Sequence, residues 1–382
     1  MRLDGIEARW LGLSLRSPLH TSAGAHRERP VLMVKVVCGE VVGWGECGAL
    51  ATGTAVDPPA TQVWGTLVGR SVPHLLDVTR SRDGALPEAA LISGLFDASA
   101  ADRMAGAALE MAVLDAELRT AGTSLSALLG VRRRTVPAGA VLGIPSDHDV
   151  ATLLADVTGV VARGFGRVRL KIEPGWDVEP VRAVRSEFPE LALQVDANGA
   201  YRLGAAGDLG AERLAALDAL GLACIEQPLP PDDLLSHVAL ADLLTTPICL
   251  DESITTIQRL IESIDCGACE VACLKPARLG GLIAARRAHD VCLAAGIPAF
   301  VGGFFETGLA RAANAALAGL PGFTLAGDLS DPADYLVESI SPYPAPVAGR
   351  VRLPELPGVG AAPDPSLVAL HSVEVLRFDP GA

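Results

Sequence analysis

The sequence predicts an α/β protein: a barrel of eight parallel strands covered by helices, preceded by a smaller α+β domain. Two observations predict the barrel. From residue 136 onward, short and continuously apolar runs recur every 25 to 30 residues or so, the mark of buried parallel strands. Between most of them lie stretches with apolar residues at three- and four-residue intervals, the mark of covering helices. A third observation sets the first 135 residues apart: their texture differs, with stretches that read as antiparallel strands ahead of one long helix.

The apolar runs are 136–144, 166–172, 191–195, 223–225, 247–250, 271–274, 298–301 and 323–326. "VEPVRAVRSEF", "AERLAALDALG", "LIAARRAHDVCLAAG" and "LARAANAALAGL" are the clearest helical stretches among the gaps. Strands alternating with amphipathic helices give a parallel sheet, and eight strands close it into a (β/α)8 barrel. An open doubly wound sheet is the alternative, but no Gly-x-Gly-x-x-Gly follows the first strand. Before residue 136, "RWLGLSLRSPLHTS" and "RPVLMVKVVCGEVVGWGECG" read as antiparallel strands. "DRMAGAALEMAVLDAELRTAG" reads as a long helix ending at Gly122. The segment beyond about residue 340 is Pro-rich, reads as irregular, and is expected to pack back on the first domain. The expected division is 1–135, 136–335 and 336–382.

Composition narrows the function. The chain has 382 residues, half of them apolar, and a net charge of −14. That charge argues against nucleic acid, whose phosphates need a basic surface, and against an anionic membrane surface. No apolar run approaches the roughly 18 residues of a membrane span, and residues 1–25 lack a basic-then-apolar signal pattern. A cytoplasmic protein is expected. The eight cysteines fit a reducing compartment, and most lie in apolar runs, as small hydrophobes do. Cys266-Gly-Ala-Cys269, followed by Cys273, has metal-like spacing but no second ligand pair, so it reads as structure.

The chemistry gathers at the C-terminal ends of barrel strands. "GRVRLKIEPGWD" poses the first question, because Arg169 and Lys171 share one face of a strand whose neighbours read as buried. The third run ends at Asp196 and Asn198, the fourth at Glu226, and the fifth at Asp251 and Glu252. The sixth ends at Lys275, with Arg278 just beyond. One acid after a strand is an ordinary helix cap. Three on successive strands converge, and carboxylates so crowded repel unless a cation sits among them. Oxygen ligands with room for water suit a hard divalent ion, Mg²⁺ first and Mn²⁺ as the alternative. Lys171 and Lys275 would flank that ion from opposite sides of the barrel mouth. A lysine whose pKa is lowered by burial and by a neighbour such as Arg169 can take a proton from carbon. The plainer alternative, structural counter-ions for Asp196 and Asp251, is disfavoured by the placing of two buried lysines at paired strand ends.

These residues resemble the muconate-lactonising subgroup of the enolase superfamily, and within it the o-succinylbenzoate synthase and N-succinylamino acid racemase branch. The resemblance rests on "RLKIEPGWDVEPVRAVR", "LQVDANGAY", "IEQPL", "TPICLDESI", "LKPARLGG" and "GGFFETGLARAANAALA", and spans nearly the whole chain. It implies a modified TIM-like (β/α)8 barrel under an α+β capping domain built from both termini. It implies Asp196, Glu226 and Asp251 as Mg²⁺ ligands and Lys171 and Lys275 as acid and base on opposite faces of a small-molecule carboxylate. Arg278 matches the arginine usual in this branch; Asn198 and Glu252 are expected to orient the ligands and Lys171. The partners expected are that substrate and further copies of the same chain.

The resemblance also marks departures. Arg169 stands where a lysine is usual, and arginine cannot shuttle a proton. The capping loops "HTSAGAHRERP" and "GALATGTAVDPPA" lack the usual aromatics, with Ala23 where phenylalanine is common. Val141 stands where a serine often touches substrate. Phe304 and Phe305 replace a Met-Ile pair within 302–306, where Gly302, Gly303, Phe304, Phe305 and Glu306 are expected to line the substrate pocket. His20 and His26, in the first capping loop, could face substrate, but read first as solvated loop residues. A remodelled pocket on an intact chemical core leaves a related epimerase, cycloisomerase or dehydratase as the second reading. A non-catalytic carboxylate-binding barrel is a third, against which two opposed proton carriers speak.

Overall fold

The structure, a computed structural model, describes residues 1–22, 24–203 and 210–381. The chain opens with an antiparallel meander of β1 (Gly5–Thr21), β2 (Gly24–Cys38) and β3 (Val41–Cys47). The helix Ala100–Thr120 packs across β3, started by Ser99, whose hydroxyl accepts from Asp102 N. Gly43 and Gly45 let the two backbones touch. A Cβ on Gly45 would stand 1.9 Å from the Ala108 carbonyl oxygen, and one on Gly43 2.1 Å from that of Ala112. The "GWG" of the sequence is therefore a crossing point.

The first apolar run of the barrel region divides in two. β4 (Thr135–Pro137) pairs antiparallel with a late strand, while β5 (Ala140–Leu142) joins the barrel. The chain changes partner at Ala138 and Gly139, so one continuous run makes two strands. β6 (Arg167–Lys171), β7 (Ala192–Asp196), β8 (Ile225–Glu226), β9 (Ile248–Leu250), β10 (Val271–Leu274) and β11 (Ala299–Val301) follow, parallel and in chain order. The eighth run, 323–326, forms no regular strand. It nevertheless bridges the gap, since Leu325 N and Asp328 N donate to Ala299 O and Val301 O while Gly139 N donates to Gly327 O. Pairing at separate points, without consecutive pairs, closes the ring.

The tail is more ordered than its proline content suggests. β12 (Arg350–Arg352) pairs with β4, and β13 (Ser372–Phe378) pairs antiparallel with β1. Pairing of both ends of the chain in one sheet, order β13-β1-β2-β3, makes the tail part of the first domain's sheet. Two main apolar cores result, one between barrel and helices (Val168, Leu193, Ile225) and one between the terminal sheet and its helix (Ile6, Val34, Leu109). Inside the barrel, Cys224, Cys249 and Cys273 pack with Phe300 as small hydrophobes. All eight cysteines are free, and Cys266 is exposed. No described helix is long and apolar enough to cross a membrane.

One carboxylate joins the two cores. Glu110, on the long helix, accepts from Leu282 N at 3.0 Å and Ile283 N at 2.9 Å, the first amides of the helix Leu282–Ala295. Burial pushes its carboxyl up to about 7, against the lowering effect of those two bonds. A raised carboxyl adds stability that is complete below the unfolded value and lost as pH climbs through the folded one. The wild type should therefore lose about 2.5 kcal/mol more than Glu110→Gln between pH 5 and pH 8. Urea unfolding at both pH values measures the difference; equal losses would clear Glu110 of the effect.

Candidate active site at the barrel mouth

Alternation on the strands answers the question of the cationic pair. Val168 and Leu170 face the helices, while Arg167, Arg169 and Lys171 point into the barrel, all buried. The same alternation brings Gln194 and Asp196, Glu226, Asp251, and Cys273 with Lys275 to the interior. In sheet order β6 and β10 are separated by β7, β8 and β9. Lys171, ending β6, and Lys275, following β10, thus stand on opposite sides of the mouth with the carboxylates between them.

Each lysine is held by an acid. Lys171 Nζ donates to Asp196 Oδ2 at 2.6 Å and Asn198 Oδ1 at 2.8 Å. Lys275 Nζ donates to Asp251 Oδ2 at 2.7 Å. Asn198 in turn donates to Glu252 Oε1 at 2.9 Å. Burial pulls the Lys275 ammonium down and Arg278 adds to that, but Asp251 first, together with Cys273 and Glu252, turns the net direction up. That is opposite to the lowering expected for a base. The cause is a carboxylate in contact, where the sequence suggested neighbouring cations.

Arg169 has a different task from the one foreseen. Its Nη1 lies 2.7 and 2.6 Å from the two Glu226 oxygens, and Nη2 lies 2.5 Å from Asp328 Oδ2. Arg169 Nε is 3.8 Å from Asp196 Oδ2. It is a brace among three carboxylates, which a planar guanidinium serves better than a lysine would. Gln194 Nε2 adds a 2.5 Å bond to Glu226.

Glu226, Asp251 and Cys273 each offer an atom within 4.8 Å of the other two. Asp196 lies outside that cluster, its Oδ2 engaged by Lys171. Burial, and then Asp196, Asp251 and Asp328, push the Glu226 carboxyl well above the usual range even against Arg169. The two carboxylates of this cluster are hard oxygen donors that suit a divalent cation, whereas the Cys273 sulfur is a soft one and burial keeps it a thiol.

Several partners were not legible in advance. Arg278 binds Asp251 Oδ1 at 2.6 Å and, with its other edge, Asp57 at 2.8 and 2.7 Å. Asp57 was the one acid in the second capping loop, a weak signal. Gln227 Oε1 accepts from Asp251 N and Ser253 N, fixing the turn that presents Asp251. Of the expected pocket residues, Val141 pairs with Arg169 in the sheet and is half-buried. Ala23 lies outside the described residues. Gly302 packs on the Lys275 stem, where a Cβ would meet Cε at 3.0 Å. Gly303 lies against Glu306, and Glu306 Oε1 accepts from Phe304 N at 2.8 Å. Phe304 places its ring 4.6 Å from Lys275 Nζ, and Phe305 meets Tyr335 edge-on. His26 is half-buried with an unpaired Nδ1, contrary to the solvated loop residue expected. Burial, then the charges of Lys171 and Arg29, lower its imidazole pKa.

Fold and site together define a class. Residues 152–367 match the family described as enolase C-terminal domain-like, and residues 6–130 match the mandelate racemase / muconate lactonizing enzyme N-terminal domain. The chain belongs to this family, the enolase superfamily, whose enzymes remove a proton α to a carboxylate. An N-succinylamino acid racemase from Amycolatopsis is 44% identical over 372 residues, covering 96% of this chain and 97% of the relative. An o-succinylbenzoate synthase from Geobacillus kaustophilus is 37% identical over 362 residues, covering 94% and 93%. The crystal structure of an enolase-superfamily member from Listeria innocua superposes with a TM-score of 0.90 at 28% identity, over the whole of both chains.

Proposed function

We propose that this protein acts on N-succinyl amino acids and the cyclohexadiene precursor of o-succinylbenzoate, with Lys171 and Lys275 as opposed acid and base. The observation that carries the reading is the placement of two buried ammonium groups on opposite sides of a row of carboxylates. Single-base chemistry needs one such group; inversion at carbon needs one on each face. In racemisation one lysine takes the α-proton and the other returns a proton to the opposite face. In dehydration Lys171 takes the proton and then assists loss of hydroxide while Lys275, as an ammonium, steadies the negative charge.

Glu226 and Asp251, with Asp196 released from Lys171, would hold Mg²⁺ or Mn²⁺. Such an ion supplies positive charge for the substrate carboxylate and for the charge that develops as the α-proton leaves. Asn198 receives the Lys171 ammonium, and Arg278 keeps Asp251 oriented. The two cores support a division near residues 135 and 335 into capping and catalytic parts.

The test is α-proton exchange. Incubated with Mg²⁺ and N-succinyl amino acids in D₂O, the protein should exchange the α-proton of both enantiomers, followed by NMR. Turnover of the cyclohexadiene precursor without exchange would assign dehydration alone. Inactivity on both substrate classes with Mg²⁺ bound would overturn the proposed substrates.

A further inference from the structure

The chain contains three lysines: Lys35, Lys171 and Lys275. The two at the mouth differ in one respect. Lys171 is held by polar groups alone, whereas Lys275 also lies against the face of Phe304. The ring itself is confined. A Cβ on Gly48 would stand 2.9 Å from Phe304 Cβ, so the aromatic residue sits flush on capping-domain backbone.

The turn that carries Phe304 is tied to the same domain. Arg29, on β2 and 1% exposed, donates from Nε to Phe305 O at 2.8 Å. Its Nη1 donates to Ala49 O at 2.9 Å and to Pro30 O. Phe305 has φ of +58°, a left-handed conformation unfavourable for a side chain of that size, so its geometry needs an external hold. Glu46, on β3, secures the next residues by accepting from Thr307 N at 2.8 Å and Thr307 Oγ1 at 2.6 Å. A path of direct contacts therefore runs from Arg29 through the Phe305 carbonyl and the Phe304 ring to the Lys275 ammonium.

We propose that Arg29 of the capping domain is a positioning residue for Lys275, acting through the strained turn that lays Phe304 on its ammonium group. The proposal rests on the function above only for its catalytic consequence. Phe304, expected from the sequence to line the substrate pocket, aims the acid–base group on one face and leaves Lys171 alone. A desolvated ammonium–aromatic contact corresponds to about a thirtyfold effect.

Two measurements test it on Arg29→Met and on Phe304→Leu, the milder variant should the first fold poorly. Protein carrying ¹³C-labelled lysine has three ε-methylene signals to assign, and the Phe304 ring current should displace that of Lys275. Both variants should move the Lys275 signal and leave that of Lys171 in place. In D₂O exchange, the enantiomer whose α-proton Lys275 takes should slow about thirtyfold, and the other should not. A Lys275 signal unmoved in Arg29→Met, with Phe304→Leu displacing it, would overturn the role of Arg29. Equal slowing of both enantiomers would reduce both residues to general structure. If the wild type exchanges neither enantiomer, the racemase reading fails while the lysine signals still decide the positioning role.

Discussion

Replacing Lys171 by alanine is expected to end racemisation while leaving exchange on one enantiomer. Lys275 still faces the other side of the substrate, so that enantiomer's α-proton continues to wash out. Lys275→Ala should give the mirror image. Each loss should reach about 10²- to 10⁴-fold, the usual weight of a positioned acid–base group. Dehydration should fall with Lys171→Ala by a similar factor, because the same ammonium assists loss of hydroxide. The fold should tolerate both changes. Asp196 keeps its bond from Asn198 N at 3.0 Å, and Asp251 keeps Arg278 at 2.6 Å. Enantiomer-resolved NMR exchange, with circular dichroism as the folding control, reads the result. Exchange of both enantiomers surviving both substitutions would remove the lysines from the mechanism.

Asp251→Asn should be the most damaging change to metal binding and to the metal-free fold. Asp251 faces Lys275 on one oxygen and Arg278 on the other. The neighbouring cations hold its carboxyl well below the usual range in spite of complete burial. An uncharged amide leaves both cations in a buried site with one fewer anion. The expected cost is about 3 kcal/mol, the lower end for breaking a buried pair, because Asp57 still binds Arg278 on two atoms. The Mg²⁺ dissociation constant should rise by more than about 100-fold, beyond what loss of an outer partner produces. Calorimetric titration and urea unfolding measure the two effects. Unchanged Mg²⁺ affinity would strike Asp251 from the ligand set.

The site was legible in the sequence to the extent that it is written in strand ends. Six barrel strands fall within a residue or two of their apolar runs, and the charged residues at their tips converge as alternation requires. What failed did so where partners change. The 136–144 run serves two sheets, and the 323–326 run closes the barrel by isolated hydrogen bonds. Neither outcome depends on the residues of those segments alone. The electrostatic pairing was less legible still. Arg169 was read as a neighbour of Lys171, since both sit on β6, yet its guanidinium reaches Glu226 on β8 and Asp328 beyond β11. Asp57 and Arg29 belong to the site through contacts with residues more than two hundred positions away.

By itself the sequence determined the order of strands, the residues that point into the barrel, and hence the chemical groups at its mouth. Those follow from a repeat of two along each strand, a local property of consecutive residues. Only the tertiary structure decided which cation holds which carboxylate, that Phe304 leans on Lys275, and that the capping domain reaches both Lys275 and Arg278. Such pairings are settled by ångström-scale distances between groups that share no local pattern, so only the folded chain can select among them.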